Sequence, residues 1–334
     1  MVMMEEVKRK LSINIAEWGN NLERYLNVIS PPFNSSEVFL DIIMQYAALE
    51  KTILYISNGK DSDMGIVSAI ENYTDFKRYF HYISNSDIVQ PLVIADVGAA
   101  RDIDIKFDLV IYDDINSMPL EDSTSIAYLT EKVCKGTGKI ITYSIESIFV
   151  DYKEIIIPVR DGKKPLLEPR IIVTRIDLNT DIPYVVFEYL KYSKKNKRNT
   201  IIYVPDEVKA KNVYRYLTSF HKSIFTDVEL LLEEGDKKKV YKFIQRKGAI
   251  LVTKLSDILC MNLKDIDIMV YFSDDAYFDY KRLVFLSGKV GRSEDNDMGE
   301  VIFVTGTTNY HIEKAKNLIR EFNKKAWEMG LLEI

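Results

Sequence analysis

The run Lys281 to Phe303, KRLVFLSGKVGRSEDNDMGEVIF, sets Lys289 and Arg292 beside Gly288 and Gly291, directly ahead of an apolar strand pattern. Two cations on a tight glycine turn can neutralise charge on a phosphate, Arg292 in the manner of an arginine finger. A second constellation is acidic: Asp113 and Asp114 close the apolar run FDLVIYDD. Carboxylates at the carboxyl end of a strand can hold a metal or move a proton, but they also commonly cap a turn or helix. Two basic stretches offer phosphate contacts, with a solvated face as the plainer reading. One holds Lys191, Lys194, Lys195, Lys197 and Arg198; the other holds Lys237, Lys238, Lys239, Lys242, Arg246 and Lys247.

Other chemistries find no support. His81, His221 and His311 stand apart with no HxxxH or Cys/His spacing, and Cys134 and Cys260 have no CxxC companion, so the sequence expects no metal site and no disulfide framework. A GxSxG elbow is absent. The aromatic run FKRYFHYIS (Phe76 to Ser84) could stack on bases, although aromatics at helical spacing more often fill a core. With 334 residues, 47% of them hydrophobic, and a formal net charge of −5, the chain has material for two ordinary cores. Nucleic-acid binding would need a local basic face. No apolar run reaches the length of a membrane span, and a reducing cytoplasm fits the sparse cysteines.

Around these residues, short β-rich runs alternate with segments of helical period, the pattern of an α/β protein built on parallel sheets. Strands are expected at Thr52 to Ser57, Pro91 to Val97, Phe107 to Asp114, Lys139 to Ser144 and Arg170 to Ile176 in the first half. The second half supplies Thr200 to Pro205, Ala249 to Leu255, Ile266 to Ser273 and Gly299 to Gly306. Helices are expected at Glu37 to Glu50, Ser123 to Cys134, Asp206 to Phe220 and from about Asn309, while Val7, Leu11, Ile15, Trp18 and Leu22 trace one face of an N-terminal helix. The charged LKYSKKNKRN places a junction near Thr180 to Asn199, giving domains over 1–180 and 181–334.

In order and spacing, five segments resemble the ComFA branch of superfamily-two helicases: FDLVIYDDINSMP (Phe107 to Pro119), GKIITYS (Gly138 to Ser144), IPVRDGKKPLLEP (Ile157 to Pro169), the run from Ala249 to Phe303, and the terminal REFNKKAWEMGLLEI. The resemblance implies two RecA-like domains, each a mainly parallel sheet flanked by helices and facing the other across a cleft lined by Asp113 and Arg292. It implies nucleotide contact at Ser35, Ser36, Asp113, Lys289 and Arg292, and vestigial catalytic roles for Asp113, Asp114 and Arg292. It further implies nucleic-acid contact at Thr253 and Lys254, with Lys194 and Lys195 near the junction. Departures from the pattern are specific. SPPFNSSEVFL puts Ser35 at the position of the phosphate-binding Lys, and Pro32 and Asn34 at those of glycines. Proline has no amide hydrogen to offer a phosphate. Asp114 replaces a Glu, Phe285 a Gln and Lys289 an Arg, while Ile258 and Leu259 stand where the preceding motif carries Arg and Gly. The family's four-cysteine zinc segment has no counterpart among these residues.

The resulting expectation is a degenerate ComFA-like protein that binds single-stranded DNA or a competence or DNA-processing partner without efficient ATP hydrolysis. The alternative is a divergent but active translocase, which would require ATP and magnesium.

Overall fold

The computed structural model describes residues 2–58, 65–83, 90–160, 164–219, 225, 227–233, 236–254, 266–292 and 299–332. The chain forms two compact units, Met1–Lys163 with Lys325–Ile334, and Lys164–Lys324.

In the first unit, α1 (Val2–Gly19) precedes β1 (Tyr25–Ile29), a 3-10 turn (Ser36–Phe39) and α2 (Leu40–Ala48). Then come β2 (Ile53–Ser57), α3 (Gly65–Tyr73), β3 (Tyr79–His81), β4 (Leu92–Ala95), α4 (Val97–Arg101), β5 (Phe107–Asp113), α5 (Ser123–Val133), β6 (Cys134–Ser144) and β7 (Lys153–Ile156). The strands make one seven-stranded sheet, β3-β4-β2-β5-β6-β1-β7, every pairing parallel. Parallel strands are covered on both faces, which is why ILYIS of β2 is buried at every position while β7, at the edge, is not. The shared direction also brings the carboxyl ends of β1, β2, β5 and β6 to one edge of the sheet, where open α/β sheets bind ligands.

Helix α1 buries Ile15 and Trp18 and packs on α2 and the 3-10 turn. Leu22, expected on its apolar face, lies past the helix end and is fully exposed. Lys139 fixes that end: its ammonium donates to the carbonyls of Trp18 (3.3 Å), Asn21 (2.5 Å) and Glu23 (2.6 Å) and sits 4.8 Å over the Trp18 ring. A helix leaves its last carbonyls without partners, and a cation there also complements the helix dipole.

The second unit contains β8 (Arg170–Val173), α6 (Tyr184–Lys195), β9 (Asn199–Tyr203), α7 (Glu207–Ser219), β10 (Val228–Leu231), α8 (Lys237–Gln245), β11 (Ile250–Thr253), β12 (Ile266–Tyr271), α9 (Tyr280–Gly288), β13 (Val301–Thr305) and α10 (Tyr310–Glu328). Its six-stranded parallel sheet runs β10-β11-β9-β12-β13-β8. The segment Arg170 to Ile176, expected with the first series of strands, instead supplies β8 on the β13 edge of this second sheet. Strand order along the chain does not dictate sheet membership; the open edge of β13 does. The charged stretch expected as a junction runs from the end of α6 through a short turn into β9, and α6 buries Val186, Tyr189 and Leu190 in this unit's core.

Candidate functional site

The site builds from the loop after β1. Ser30 N–H donates to Ser144 O (3.0 Å), and Phe33, at φ 63°, donates to Ile115 O (3.0 Å). The left-handed region suits glycine and strains a bulky residue, so tertiary contacts must hold Phe33 there. Asn34 is 4% exposed and anchors the loop from within, donating to Ser30 Oγ (2.9 Å) and Val159 O (3.0 Å) while its Oδ1 accepts from Ser35 N (3.0 Å). Ser35 caps the 3-10 turn by accepting from Glu37 N (3.2 Å), and its carbonyl accepts from the Tyr143 hydroxyl (3.1 Å). The amides of Ser30, Phe33, Ser35 and Glu37 therefore already donate within the protein, and Pro31 and Pro32 have none to give.

From the end of β5, Asp113 meets this loop. Its Oδ2 accepts from Ser36 Oγ (3.1 Å), from Asn116 Nδ2 (3.4 Å) and from the Tyr55 hydroxyl at the middle of β2, and its Oδ1 accepts from Ile115 N (2.9 Å). Asn116 also donates to Ser36 Oγ (3.1 Å), closing a ring of neutral groups around the carboxylate. Gly65, at the start of α3, lets that helix approach: a Cβ there would lie 3.3 Å from Ser36 Oγ. Burial raises the Asp113 carboxyl above its ordinary value, against the lowering effect of its donors, and burial followed by the neighbouring Asp113 charge raises the Tyr55 phenol well above its own.

The structure thus brings Ser35, Ser36 and Asp113 together. Asp114 is 4% exposed, with its amide on Tyr143 O (3.1 Å). Tyr55, Asn116 and Tyr143 are the members that sequence reasoning missed. Two cues were available: a hydroxyl inside the apolar run ILYIS needs a buried partner, and an Asn three residues past Asp113 sits within turn distance of it.

In the second unit, Thr253 is fully buried at the carboxyl end of β11, and Lys254 Nζ lies 3.8 Å from Glu207 Oε2. Lys194 and Lys195 occupy the last turn of α6, which feeds the amino end of β9, the neighbour of β11. They lie at the edge opposite Thr253, so a contact passing along one edge does not pass along the other. Lys289, just past α9, is 2% exposed with its ammonium 4.9 Å over the Phe285 ring. Its burial gives the Gln-to-Phe departure a physical sense, since a ring face accommodates a cation where an amide would hydrogen-bond it. Arg292 is partly buried and follows Gly291, at φ 68°. Ile258, Leu259, Cys260 and His221 lie outside the described residues, as do Glu294 and Asp295, the acidic neighbours of Arg292. Cys134 is buried, and burial pushes its thiol up to about 11, away from nucleophilic use. Among the described residues no group of three or more His, Cys, Asp or Glu side chains is placed to hold a metal ion. No described helix is long and apolar enough to cross a membrane.

Two helix-flanked parallel sheets give the chain an α/β fold of two RecA-like domains, shared with solved helicase structures. Yeast (S. cerevisiae) Dbp5 bound to RNA and ADP BeF3 has the same fold, with TM-score 0.55 and 10% identity over 93% of this chain and 88% of that one. Helicase Lhr of Mycobacterium smegmatis, bound to ssDNA and AMP-PNP, matches with TM-score 0.52 and 11% identity over 95% of this chain and 48% of its own. No family model matches the sequence. Two curated relatives do: competence protein ComFA of Streptococcus pneumoniae (strain ATCC BAA-255 / R6), 22% identical over 71% of this chain, and ComFA of Bacillus subtilis (strain 168), 22% identical over 71%. The chain spans 57% and 54% of their lengths. At that identity the chain is similar to the ComFA branch of superfamily-two helicases.

Proposed function

We propose that this ComFA-like protein binds single-stranded nucleic acid, or a partner that handles it, without efficient ATP hydrolysis. The observation that carries the reading is the closed ring around Asp113. A nucleotide site of this architecture needs a lysine and free loop amides for the phosphates, and a carboxylate left accessible for magnesium. Between Ser30 and Glu37 the chain has no lysine, arginine or glycine, and the amides of Ser30, Phe33, Ser35 and Glu37 are engaged. Asp113 is 2% exposed and accepts from Ser36, Tyr55, Asn116 and Ile115. These residues do not fit magnesium and a triphosphate.

Nucleic-acid contact is inferred from the fold and from two solved structures that share it, one bound to RNA and one to ssDNA. Lys254, at the carboxyl edge of the second sheet, is the proposed contact, with the fully buried Thr253 beside it holding the strand end. Backbone contacts of this kind give affinity without sequence preference. The test is an ATP titration with magnesium beside a single-strand binding assay across salt. The reading expects no DNA-stimulated turnover and an affinity that falls steeply with salt. Tight ATP binding with DNA-stimulated turnover overturns it in favour of an active translocase, and absence of nucleic-acid binding at low salt removes its binding half.

A further inference from the structure

The two basic stretches, one ending at Arg198 and the other beginning at Lys237, meet at one edge of the second sheet. Helix α6 ends at Lys195 and feeds β9; helix α8 ends at Gln245 and feeds β11, the strand beside β9. The two helix ends touch at Gly248, where φ is +76° and an added Cβ would meet Lys194 O at 3.0 Å. Asn199 ties them further: its Nδ2 donates to Phe243 O (3.0 Å) and Arg246 O (2.9 Å), and its Oδ1 accepts from Ala249 N (3.0 Å). That leaves Lys195, Lys197, Lys242 and Lys247 exposed at one edge of the sheet, and these four make no ion pair among the described residues.

The common reason for lysines at helix ends is to satisfy the last carbonyls. Here other groups do it. The Tyr192 carbonyl accepts from Asn196 N (3.0 Å) and Asn196 Nδ2 (2.9 Å), the Lys194 carbonyl from Lys197 N (3.0 Å), and the Phe243 carbonyl from Arg246 N (3.3 Å) and Asn199. Acidic groups nearby are already committed: Asp227 and Glu229 to Arg246, Glu188 to Lys191, and buried Asp267 to Arg198. The exposed lysines therefore form a positive surface on a chain whose net charge is −5. The same two helices carry two exposed rings, Tyr192 (54% exposed) in α6 and Tyr241 (65%), next to Lys242, in α8. Tyr192 lies three residues from Lys195, on the same helical face.

We propose that this surface is a second phosphate-backbone site for single-stranded nucleic acid, on the opposite edge of the second sheet from Thr253 and Lys254. The four residues of β11, at about 3.3 Å each, set roughly 13 Å of sheet between the two edges. Lysine heads track the phosphates and the tyrosine faces stack on bases, a combination tolerant of sequence. A lipid surface would call for exposed Leu, Phe or Trp among the lysines; the exposed neighbours here are Tyr192, Tyr241, Asn196 and Gln245.

The inference rests on the nucleic-acid half of the proposed function but not on its site. The experiment compares the full chain with the quadruple variant K195Q/K197Q/K242Q/K247Q and with K254Q, measuring anisotropy of a fluorescent oligothymidylate from low to high salt. Thermal melts check that the exposed substitutions leave the fold intact. Losing four phosphate contacts at about 0.7 counterions each should flatten the slope of log affinity against log salt by about 3, and weaken binding roughly a hundredfold near 0.1 M. K254Q should flatten it by less than about 1. If the quadruple variant binds like the parent while K254Q is weakened, this surface is overturned and the proposed function stands. If the parent itself does not bind the oligomer, both fall. If the quadruple variant keeps oligomer binding but loses attachment to phosphatidylserine vesicles, the surface is a membrane contact and the inference is overturned.

Discussion

Asp113 and Asp267 are both interior aspartates on central parallel strands, 2% and 0% exposed, and they are accommodated in opposite ways. Asp267, at the amino end of β12, is matched by a charge: Oδ1 takes the Arg198 guanidinium and the Glu300 amide (2.9 Å), and Oδ2 takes the Ser193 hydroxyl (2.7 Å). Asp113, at the carboxyl end of β5, has donors on both oxygens, but Ser36, Tyr55, Asn116 and the Ile115 amide are all neutral. The first is an ion pair that holds a strand start in place. The second is a carboxylate at the edge where open α/β sheets bind ligands, surrounded by neutral donors. A buried carboxylate matched by a cation is costly to neutralise, whereas one held by neutral donors is costly mainly to leave charged.

The same substitution at the two positions should separate them. Asp267→Asn leaves Arg198 buried without its counter-charge, and breaking one side of a buried pair costs about 3–5 kcal/mol. Urea unfolding should show that loss as a lower midpoint at an unchanged slope. A loss below about 1 kcal/mol would mean that solvent reaches Arg198, and the contrast with Asp113 would dissolve.

The next effect is smaller. Tyr55→Phe removes one donor from the Asp113 carboxylate while keeping the ring, which is 1% exposed. Hydrogen bonds to charged groups contribute roughly 1.5–3 kcal/mol, so a loss of that order is expected in the same assay. If stability is unchanged and the variant gains magnesium-dependent ATP binding, Tyr55 is a plug over a competent site, and the reading of a nucleotide-independent protein is wrong.

Much of this frame is legible before any coordinates. The strands around Ile53 to Ser57, Phe107 to Asp113, Ile266 to Tyr271 and Val301 to Thr305 read as solid apolar runs because both sheet faces are covered. The placement of Asp113 at a strand end comes from the same patterns, and that of Ser36 in the substituted loop from the family resemblance. The sequence is silent on what joins them. Tyr55 and Asp113 lie 58 residues apart and meet because β2 and β5 pair in parallel, with Ser57 opposite Asp113. β1 is short and carries Asn27 at its centre, a fully buried side chain that accepts from Thr142, Ile148 and Phe149, so the strand lacks the clean apolar signature of its neighbours. Lys139 is read as an ordinary strand-end lysine until α1 is in place to give it three carbonyls. The stretch at Lys191 to Arg198 looks like a linker because charge hides the buried face of α6.

The smallest effect is the most discriminating. Asp113→Asn keeps the shape of the side chain and removes only the charge; the hydroxyls of Ser36 and Tyr55 can turn to accept from the new amide, so the cost at neutral pH should stay under about 1 kcal/mol. What should change is the dependence on pH. Burial raises the Asp113 carboxyl above its unfolded value of 3.8, so the folded chain holds this proton more tightly than the unfolded one. The resulting stabilisation is complete below 3.8 and is lost as pH climbs through the raised value. The substituted amide cannot titrate, so the stability difference between variant and parent should move in favour of the variant as pH rises from about 4 towards neutrality. A difference that stays flat across that range would mean that Asp113 is charged throughout, and would place an unseen cation, or the magnesium of an active site, back beside it.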